Sequence, residues 1–497
     1  MFEACCQYVT STTALIVLFL TMLIFTYPRR PNGIPNGPML VPVFGNLFSL
    51  ASKDPMDAFA KLRAKYGDVY GIFFGQELTV VLSGYEVIHE ALVKRGHVFS
   101  GRPRSEFHRM MFKDPGIVFA NGPLWKEHRQ FAQQALNVFG YEWSEQTMED
   151  RINDEIGHFL KKIRSYDGTV DIGPLVNLSV ANVVAGILFG HRCEYDDPKF
   201  VACLHSVGEA ARLFTRSSLL MSCFPWLKSA PGDILGIRQI KKIREKPKEF
   251  LTHVFAMHAT TFDEKETRDV LGLYLQEIQN NSDSGRQCEF NETTMRALMG
   301  ELLSAGSETT ATCIIWIILY LTLNQDLQKK IQADIDDVIG QDRRPSLQDR
   351  ILLPMVEATI LEGLRISSVA PLSVPHAVHE DVEFRGVVIP KETTVLINLH
   401  SVMKDHKLWP DPDVFKPERF LDTDGTVRSP KEFIPFSLGR RSCLGESLAR
   451  MELFLYISSL LQTFTLVFPD NEPVPTTEGV LGMTYSPKPF KVKAVPR

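Results

Sequence analysis

The chain has 497 residues, of which 44% are hydrophobic and 23% are charged, and its 54 Lys and Arg against 59 Asp and Glu give a net charge of −5. This composition is that of a folded protein; it excludes a disordered or fibrous chain and disfavours nucleic-acid binding. A mean hydropathy of −0.05 excludes a polytopic membrane protein but permits one membrane span. The eight cysteines form no C-x-x-C pair and no zinc-site spacing, which favours a reducing compartment.

An uncharged apolar stretch lies at the start of the sequence. No charged residue occurs from Ala4 to Pro28, and Val9–Tyr27 is about as long as a helix that crosses a bilayer. The run is long for a cleaved secretory signal and no small-residue cleavage site follows it, so residues 1–28 are predicted to be an uncleaved membrane anchor. Arg29 and Arg30 directly after the span predict that the rest of the chain is cytosolic.

The rest of the chain is predicted to be a linker followed by one domain. Residues 29–46 are rich in Pro and Gly, which cannot propagate a helix, so they predict a stiff, extended linker. Residues 47–497 contain no internal repeat and no composition break, and we interpret them as a single domain.

Helical periodicity dominates this domain, with apolar residues at i, i+3 and i+4. The predicted helices are Asp57–Tyr66, Gly84–Arg95, Leu124–Phe139, Arg151–Ser165, Leu175–Phe189, Lys241–Thr261, Glu292–Asn324, Asp326–Ile339, Pro354–Ile366 and Glu446–Gln462. Strand patterns are short, and two hairpins are predicted, Val69–Phe74 with Leu78–Ser83 and Val382–Val388 with Thr394–Leu399. The fold class is therefore mainly α (α+β), with a long central helix and small β-sheets.

The most informative segment runs from Phe436 to Gly445 and reads F-S-L-G-R-R-S-C-L-G. Cys443 lies just before a predicted helix start, where unpaired N–H groups and the helix dipole stabilise a thiolate, so it is a candidate metal ligand. Gly439 and Gly445 permit a tight turn and close approach to a flat cofactor, while Arg441 can bind a carboxylate and Phe436 can shield the sulfur. A buried free cysteine is the alternative, but it does not explain five specified residues at fixed spacing.

This segment matches in full the haem-ligand signature F-x-x-G-x-R-x-C-x-G, and the chain resembles a cytochrome P450 from the linker to the C-terminus. Residues 362–365, E-G-L-R, resemble the family's E-x-x-R helix, and residues 417–420, P-E-R-F, resemble its meander motif. The resemblance implies that Glu362, Arg365 and Arg419 form a buried structural network. The alternative for Glu362 and Arg365 is an exposed i,i+3 pair.

The long predicted helix contains residues 305–310, A-G-S-E-T-T, in an apolar surround. Its composition is compatible with a second membrane span, but Glu301, Gly306 and Glu308 within the run favour a buried core helix. The segment resembles the family's [AG]-G-x-[DE]-T-T motif, which implies that Glu308 and Thr309 relay protons to dioxygen and that Gly306 keeps the helix wall low over the haem. The alternative for Thr309 is a hydrogen bond to its own i−4 carbonyl.

The resemblance also implies a haem b cofactor, with Cys443 as the ligand of its iron. The side chains that it places around the two haem propionates are Arg102, Trp125, Arg129, His376 and Arg441. For all of them except Arg441, a solvated surface position is the alternative, because charged side chains are usually exposed.

The function implied is that of a haem-thiolate monooxygenase, which reduces dioxygen with two electrons and two protons and inserts one oxygen atom into a substrate. The chain has no dinucleotide or flavin motif, so its electrons must come from a separate protein. Its layout resembles animal microsomal enzymes of family 2, which implies NADPH–cytochrome P450 reductase as the partner, with cytochrome b5 as a second candidate. Lys126, Lys431 and Arg440 are candidate docking residues for an acidic partner surface. The alternatives are a haem-thiolate isomerase or dehydratase and a non-catalytic haem carrier.

The resemblance assigns the substrate pocket to segments that are mostly apolar, which predicts a lipophilic substrate such as a steroid, a fatty acid or a foreign compound. These segments are Glu106–Phe119, Gly208–Thr215, Met299–Ala305, Ala370–Val374 and Leu481–Ser486, with Phe112, Ile117, Leu213, Phe214, Leu372, Val374 and Met483 as lining residues. A further segment, Leu219–Leu227, is uncharged and is predicted to be a surface loop that dips into the bilayer through Phe224 and Trp226. Burial of this loop in the core is the alternative.

Overall fold

The computed structural model describes residues 13–14, 17–18, 21, 30–52, 54–111, 113–141, 147–166, 168–261, 268–284 and 288–497. The predicted anchor, residues 1–28, lies almost entirely outside the described residues. The predicted pocket residue Phe112 is also outside them.

Helices make up most of the described chain, as the sequence predicted. Their bounds are α1 Pro55–Tyr66, α2 Tyr85–His89, α3 Glu106–Met111, α4 Gly122–Tyr141, α5 Met148–Arg164, α6 Ile172–Phe189, α7 Pro198–Cys223, α8 Ile237–Thr261, α9 Val270–Ser284, α10 Glu292–Leu323, α11 Gln325–Val338, α12 Pro354–Ser367, α13 His400–Met403 and α14 Glu446–Thr463. A π-helical turn, Glu90–Lys94, continues α2.

Four small sheets accompany the helices. Their strands are β1 Val69–Phe74, β2 Glu77–Ser83, β3 Thr169–Asp171, β4 His376–Ala377, β5 Val382–Phe384, β6 Val387–Ile389, β7 Thr394–Asn398, β8 Phe464–Val467, β9 Gly479–Leu481, β10 Tyr485–Pro487 and β11 Lys491–Pro496. The largest sheet has the order β1-β2-β7-β4, and the others are β3-β11-β8, β5-β6 and β9-β10. The first predicted hairpin is confirmed, because β1 and β2 pair antiparallel.

The second predicted hairpin is wrong. Strand β5 turns back on β6 through Arg385 and Gly386, which both have positive φ, at 51° and 81°. Such a two-residue turn matches the twist of the flanking strands, and glycine adopts it without steric cost. Strand β7 instead leaves this hairpin and pairs in parallel with β2, with Thr394 opposite Thr79.

The long helix α10 lies in the core rather than in a membrane. Two described helices, α6 and α10, are long and apolar enough to cross a bilayer, but most of the apolar window of each is buried inside the protein. The two pack on each other, and α10 also packs on α12 and α14. This arrangement supports the interpretation of residues 292–323 as a core helix.

Four of the described helices, α3, α7, α9 and α13, were absent from the sequence prediction. The longest, α7, begins after Asp197, whose carboxylate accepts hydrogen bonds from the N–H groups of Lys199 and Phe200. Because α7 continues to Cys223, the first half of the predicted surface loop 219–227 is helical, and a 3₁₀ turn, Pro225–Ser229, follows it. The other unpredicted helices are α9 and the short α3 and α13.

The described part of the predicted linker, residues 30–46, lies against the first sheet instead of extending freely. Ile34 and Leu40 are buried against Phe73 of β1. The Arg30 guanidinium donates to the carbonyl of Pro35 at 2.7 Å and to that of Gly71 at 3.3 Å. The apolar side chains between the prolines therefore fix this segment to the body.

Candidate haem site

The loop that carries Cys443 lies directly before α14. The N–H of Cys443 donates to the carbonyl of Phe436 at 2.9 Å, which closes the loop. Gly439 has a φ of +74°, and a Cβ there would lie 2.0 Å from the carbonyl oxygen of Leu92, so only glycine fits. A Cβ on Gly445, at the N-terminus of α14, would meet no atom within 4 Å, so the space beside the cysteine loop is open on this side.

The Cys443 thiol is accessible, but its pKa is raised, mainly because burial penalises the thiolate. The N–H of Gly445 and the positive charge of Arg129 oppose that shift. Cys443 is thus exposed as a residue, while the protein around its sulfur disfavours the anion. A thiolate there needs a positive centre next to the sulfur, which is what a bound metal supplies.

Arg129 and Arg441 bring two guanidinium groups to the cysteine loop. Arg129 donates to the carbonyl of Ser442 at 3.0 Å, one residue before the cysteine. Arg441 donates to the carbonyls of Ser100 and Ala120 at 2.9 and 2.7 Å, and its guanidinium carbon lies 4.0 Å from the ring centre of Trp125. Trp125, Arg129 and Arg441, which were predicted to lie together, are therefore neighbours at the Cys443 loop.

Arg102 and His376 complete this cluster, and both are buried. Arg102 donates to the carbonyls of Val374 and Pro375, each at 2.9 Å, immediately before His376. The Nδ1 atom of His376 lies 2.7 Å from the carbonyl oxygen of Phe99. The surface alternative for Arg102 and His376 is thus excluded.

The positive charge of this cluster is offset only in part, by the carboxylate of Glu301, which acts to raise the pKa of Arg102 and Arg441. Among the described residues, none of Arg102, Arg129 and Arg441 forms an ion pair with a carboxylate. Burial, and next to it repulsion from Arg129, lowers the pKa of Arg102 to about 9, and burial with repulsion from Arg102 lowers that of Arg441 to about 8. In addition, Nε1 of Trp125 and Nε2 of His376 are buried and have no hydrogen-bond partner among the residues that the structure describes.

These observations fit a haem. The Trp125 N–H and the guanidinium groups are donors that anionic oxygens would satisfy, and the two propionates of haem b would supply such oxygens beside a cysteine that can bind iron. Bound haem supplies the iron chemistry that activates dioxygen. The residues in position to hold it are Arg102, Trp125, Arg129, His376 and Arg441 at the carboxylates and Cys443 at the iron.

The face of α10 that carries the A-G-S-E-T-T segment is partly uncovered. Ala305 and Thr309, one turn apart, are exposed although the neighbouring Leu303, Ser307 and Thr310 are buried. The Thr309 hydroxyl donates to the Ala305 carbonyl at 2.8 Å, so the local hydrogen bond considered for this residue is present. Its oxygen can still accept a further hydrogen bond from the open side.

Gly306 does not have the predicted role. A Cβ at this position would lie 3.0 Å from Cγ2 of Val184 on α6. The glycine therefore lets α6 and α10 approach each other closely and does not lower the wall on the side of Ala305 and Thr309. Glu308 lies towards the C-terminal strands, where its Oε1 accepts a hydrogen bond from the Thr484 hydroxyl at 3.0 Å.

Glu301, on α10, supports the site in a way that the sequence did not reveal. Its carboxylate accepts hydrogen bonds from the N–H groups of three successive residues, Gly116, Ile117 and Val118, at 3.0, 2.6 and 2.6 Å. Carbonyls of the same loop bind the guanidinium groups of Arg102 and Arg441. Burial raises the pKa of Glu301, and these three donors act in the opposite direction.

The predicted buried network is confirmed. Glu362 and Arg365 are both 0% exposed and pair through two hydrogen bonds of 2.7 and 2.8 Å. Arg419 donates to the same carboxylate at 3.1 Å. The network joins α12 to the meander, the segment before the Cys443 loop that contains residues 417–420. Its role is therefore structural.

The fold and the site thus define a haem-thiolate protein. The cytochrome P450 family model matches residues 35–494, and the chain belongs to this family. It is 36% identical to cytochrome P450 2U1 of Mus musculus, over 97% of this chain and 95% of that protein. It is 35% identical to cytochrome P450 18a1 of Drosophila melanogaster, over 96% and 89%, and to cytochrome P450 2D4 of Rattus norvegicus, over 97% of both chains.

This membership makes the chain a cytochrome P450 monooxygenase with haem b as its cofactor. The similarity to relatives of family 2 is consistent with a location of this chain at the endoplasmic reticulum membrane. The contacts above bring together Cys443 and the five predicted propionate ligands. These contacts do not include Glu308 and Thr309, which lie on α10. Helix α10 packs on α14, the helix that follows the Cys443 loop. Phe436 is half-buried and lies near Arg450, 5.2 Å from ring centre to guanidinium carbon.

Proposed function

We propose that the chain oxidises a lipophilic substrate, such as a steroid, a fatty acid or a foreign compound, with electrons from NADPH–cytochrome P450 reductase. The observation that carries this proposal is the group of three guanidinium groups beside Cys443, from the buried Arg102 and the half-buried Arg129 and Arg441, which form no ion pair among the described residues. Such a group is the setting of a haem-thiolate centre. Cys443 binds the iron, Phe436 and Gly445 shape its loop, and Glu308 and Thr309 supply protons from α10.

The lipophilic substrate class is supported by the side chains around α3. Phe107 packs on Phe214 with 4.9 Å between ring centres, and His108 lies 6.0 Å from Phe119 and 5.7 Å from Phe214. Burial lowers the pKa of His108 to about 4, so this ring is neutral at physiological pH. Two of the predicted lining residues, Leu213 and Phe214, belong to this apolar cluster, whereas Met483 is 54% exposed.

The reductase partner is supported by exposed basic residues near the cysteine loop. Lys126, Lys431 and Arg440 are all exposed, and Arg440 lies 5.6 Å from the ring centre of Trp125 in the cation cluster. An acidic partner docked here would lie near the propionate ligands. Cytochrome b5 is a second candidate for the same surface.

The membrane arrangement that we propose combines the anchor with an aromatic surface patch, and it keeps the catalytic domain in the cytosol. Trp226 is 66% exposed. It packs on Phe224, which in turn lies 5.5 Å from Phe44 of the segment that follows the anchor. Aromatic rings of this kind are favoured at the membrane interface, where a lipophilic substrate is concentrated.

The experiment is reconstitution of the full chain with NADPH–cytochrome P450 reductase in phospholipid vesicles. Compounds from a steroid and fatty-acid library that shift the haem spectrum should be converted to products that carry one added oxygen atom, with NADPH and dioxygen consumed. The variant Lys126→Glu/Lys431→Glu/Arg440→Glu should lose NADPH consumption while its ferrous–CO spectrum is unchanged. Product formation without the reductase would contradict the proposal and favour an isomerase.

A further inference from the structure

A surface cleft reaches α10 from the side of α6 and α7. It has a volume of about 380 Å³ and lies between α6, α7, the middle of α10 and strand β10. Exposed residues at its mouth are Asp171, Pro174, Val201 and His205, and its walls include Glu308 of α10 and Ser486 of β10. Water in this cleft can therefore approach Glu308, the residue directly before Thr309.

Two hydroxyl groups join the cleft to the Glu308 carboxylate. Ser486, which lines the cleft, lies 3.0 Å from the buried Thr484, oxygen to oxygen, and Thr484 donates to Oε1 of Glu308 at 3.0 Å. The other carboxylate oxygen of Glu308 is buried. The hydroxyls of residues 484 and 486 point the same way because alternate residues of an extended chain share one face.

Residues 484–486, which carry these hydroxyls at the start of β10, are held firmly against α10. The residue between them, Tyr485, accepts a hydrogen bond from the indole N–H of Trp316 at 2.9 Å and stacks on its ring, with 6.0 Å between ring centres. Its N–H donates to the Val369 carbonyl at 2.8 Å. A hydroxyl chain on such a support keeps its spacing without help from the surrounding water.

We propose that Ser486 and Thr484 form a proton relay from water in the cleft to Glu308. Ser486 takes a proton from a water molecule and passes its own to Thr484, which passes its own to the carboxylate. One proton is gained by Glu308 and one is lost by the water, which the buffer reprotonates, and no bond other than O–H changes. The relay rests on the proposed role of Glu308 and Thr309, and it adds the route by which their protons enter.

The first test uses the carboxyl group itself rather than catalysis. At a pH low enough to protonate Glu308, the infrared C=O band of the haem-loaded protein that disappears in Glu308→Gln belongs to this carboxyl group. After mixing with D₂O, its shift to the deuterated frequency should slow by roughly tenfold or more in Thr484→Val, because a positioned proton donor contributes about 10²–10⁴-fold to proton transfer. Thr484→Ser keeps a hydroxyl and should exchange at the wild-type rate.

A second variant separates the relay from a purely structural hydroxyl pair. A Cβ at Gly173, on the cleft wall, would meet its nearest atoms only at 3.8 and 3.9 Å, so Gly173→Leu should place a side chain in the cleft without disturbing either hydroxyl. Exchange should slow in this variant but not in the wall control Val201→Ala. If exchange slows in Gly173→Leu but is unchanged in Thr484→Val, water delivers the proton to Glu308 directly and the relay is wrong. Unchanged exchange rates in both variants would also overturn the relay.

Turnover distinguishes failure of the relay from failure of the proposed function. With NADPH and the reductase but no added substrate, Glu308→Gln, Thr484→Val and Gly173→Leu should all release more hydrogen peroxide per NADPH than the wild type. If only Glu308→Gln does so, the acid functions and the relay is wrong. If Glu308→Gln has no effect while deuterium exchange still depends on Thr484, the relay stands and the catalytic role of Glu308 fails.

Discussion

At the scale of single residues, we propose that haem binding depends on the guanidinium groups of Arg102, Arg129 and Arg441, which form no ion pair with a carboxylate in the described part of the chain. Arg441→Met should therefore weaken haem retention by roughly ten- to a hundredfold, since hydrogen bonds to charged groups contribute about 1.5–3 kcal/mol. Haem transfer to excess apomyoglobin measures the loss rate. The control is the exposed neighbour Arg440→Met, and equal loss rates in the two variants would contradict the role of Arg441.

His376 gives a second residue-scale prediction, which concerns pH. Burial, and next to it the charge of Arg102, lowers the pKa of this imidazole to about 3 in the absence of an anion. Because the folded protein then binds fewer protons than the unfolded chain, stability is lost as pH falls below about 6.5, by about 2 kcal/mol between pH 6.5 and 5.

Urea unfolding of the haem-depleted protein at the two pH values measures this loss, and His376→Gln should remove it. Haem should reduce the difference between wild type and variant, because a propionate opposite Nε2 raises the pKa of the imidazole. A wild-type loss that haem leaves unchanged would place His376 away from the propionates.

At the scale of elements, the buried network of Glu362, Arg365 and Arg419 joins α12 to the meander. Glu362→Gln leaves two buried guanidinium groups without a counter-charge, which should cost about 3–5 kcal/mol of unfolding free energy. The matched control is Glu292→Gln in the exposed i,i+4 pair with Arg296, which should cost no more than about 1 kcal/mol. Thermal unfolding compares the two, and similar costs would contradict a structural role for the network.

Elements that depend on residues close together in the sequence could be predicted, whereas contacts between residues far apart in the sequence could not. The Cys443 loop and α14 are contiguous, so residue spacing identified them, and strong periodicity placed most helices within a few residues of their observed ends. Strand β7 was predicted in the right place but with the wrong partner, because its pairing with β2 joins residues more than 300 positions apart. The contact of Glu301 with residues 116–118 also joins distant parts of the chain, 183 to 185 positions apart, and nothing in the composition of either segment indicates it.

Local signals that were present explain the remaining errors. The Asp197-Pro198 start of α7 is a helix N-cap followed by proline at the first helical position, a pattern that predicts a helix. The Arg385-Gly386 turn between short apolar runs similarly indicates a two-residue hairpin. Gly306 was assigned to the haem by resemblance, whereas the direction of its missing Cβ depends on the packing of α6, which a sequence motif does not contain.

At the scale of the whole molecule, the aromatic patch predicts membrane contact that does not require the anchor. A form without residues 1–28 should still bind phospholipid vesicles, and combined Leu220→Ser, Phe224→Ser and Trp226→Ser changes should release it with the ferrous–CO spectrum preserved. Ile351 and Leu352, which are 88% and 61% exposed, provide the control, because serine at these positions should leave binding unchanged. Equal vesicle binding by both variants would remove the patch from the membrane contact.

The central claim is that Cys443 binds haem iron as a thiolate, and the ferrous–CO difference spectrum tests it most directly. The wild-type chain should absorb at about 450 nm, the position expected for thiolate ligation. Cys443→Ser and Cys443→His should lose this band, while Cys313→Ser, at a buried cysteine in the core, should keep it. A band at about 450 nm that persists in Cys443→Ser would contradict the assignment of the ligand and, with it, the site described above.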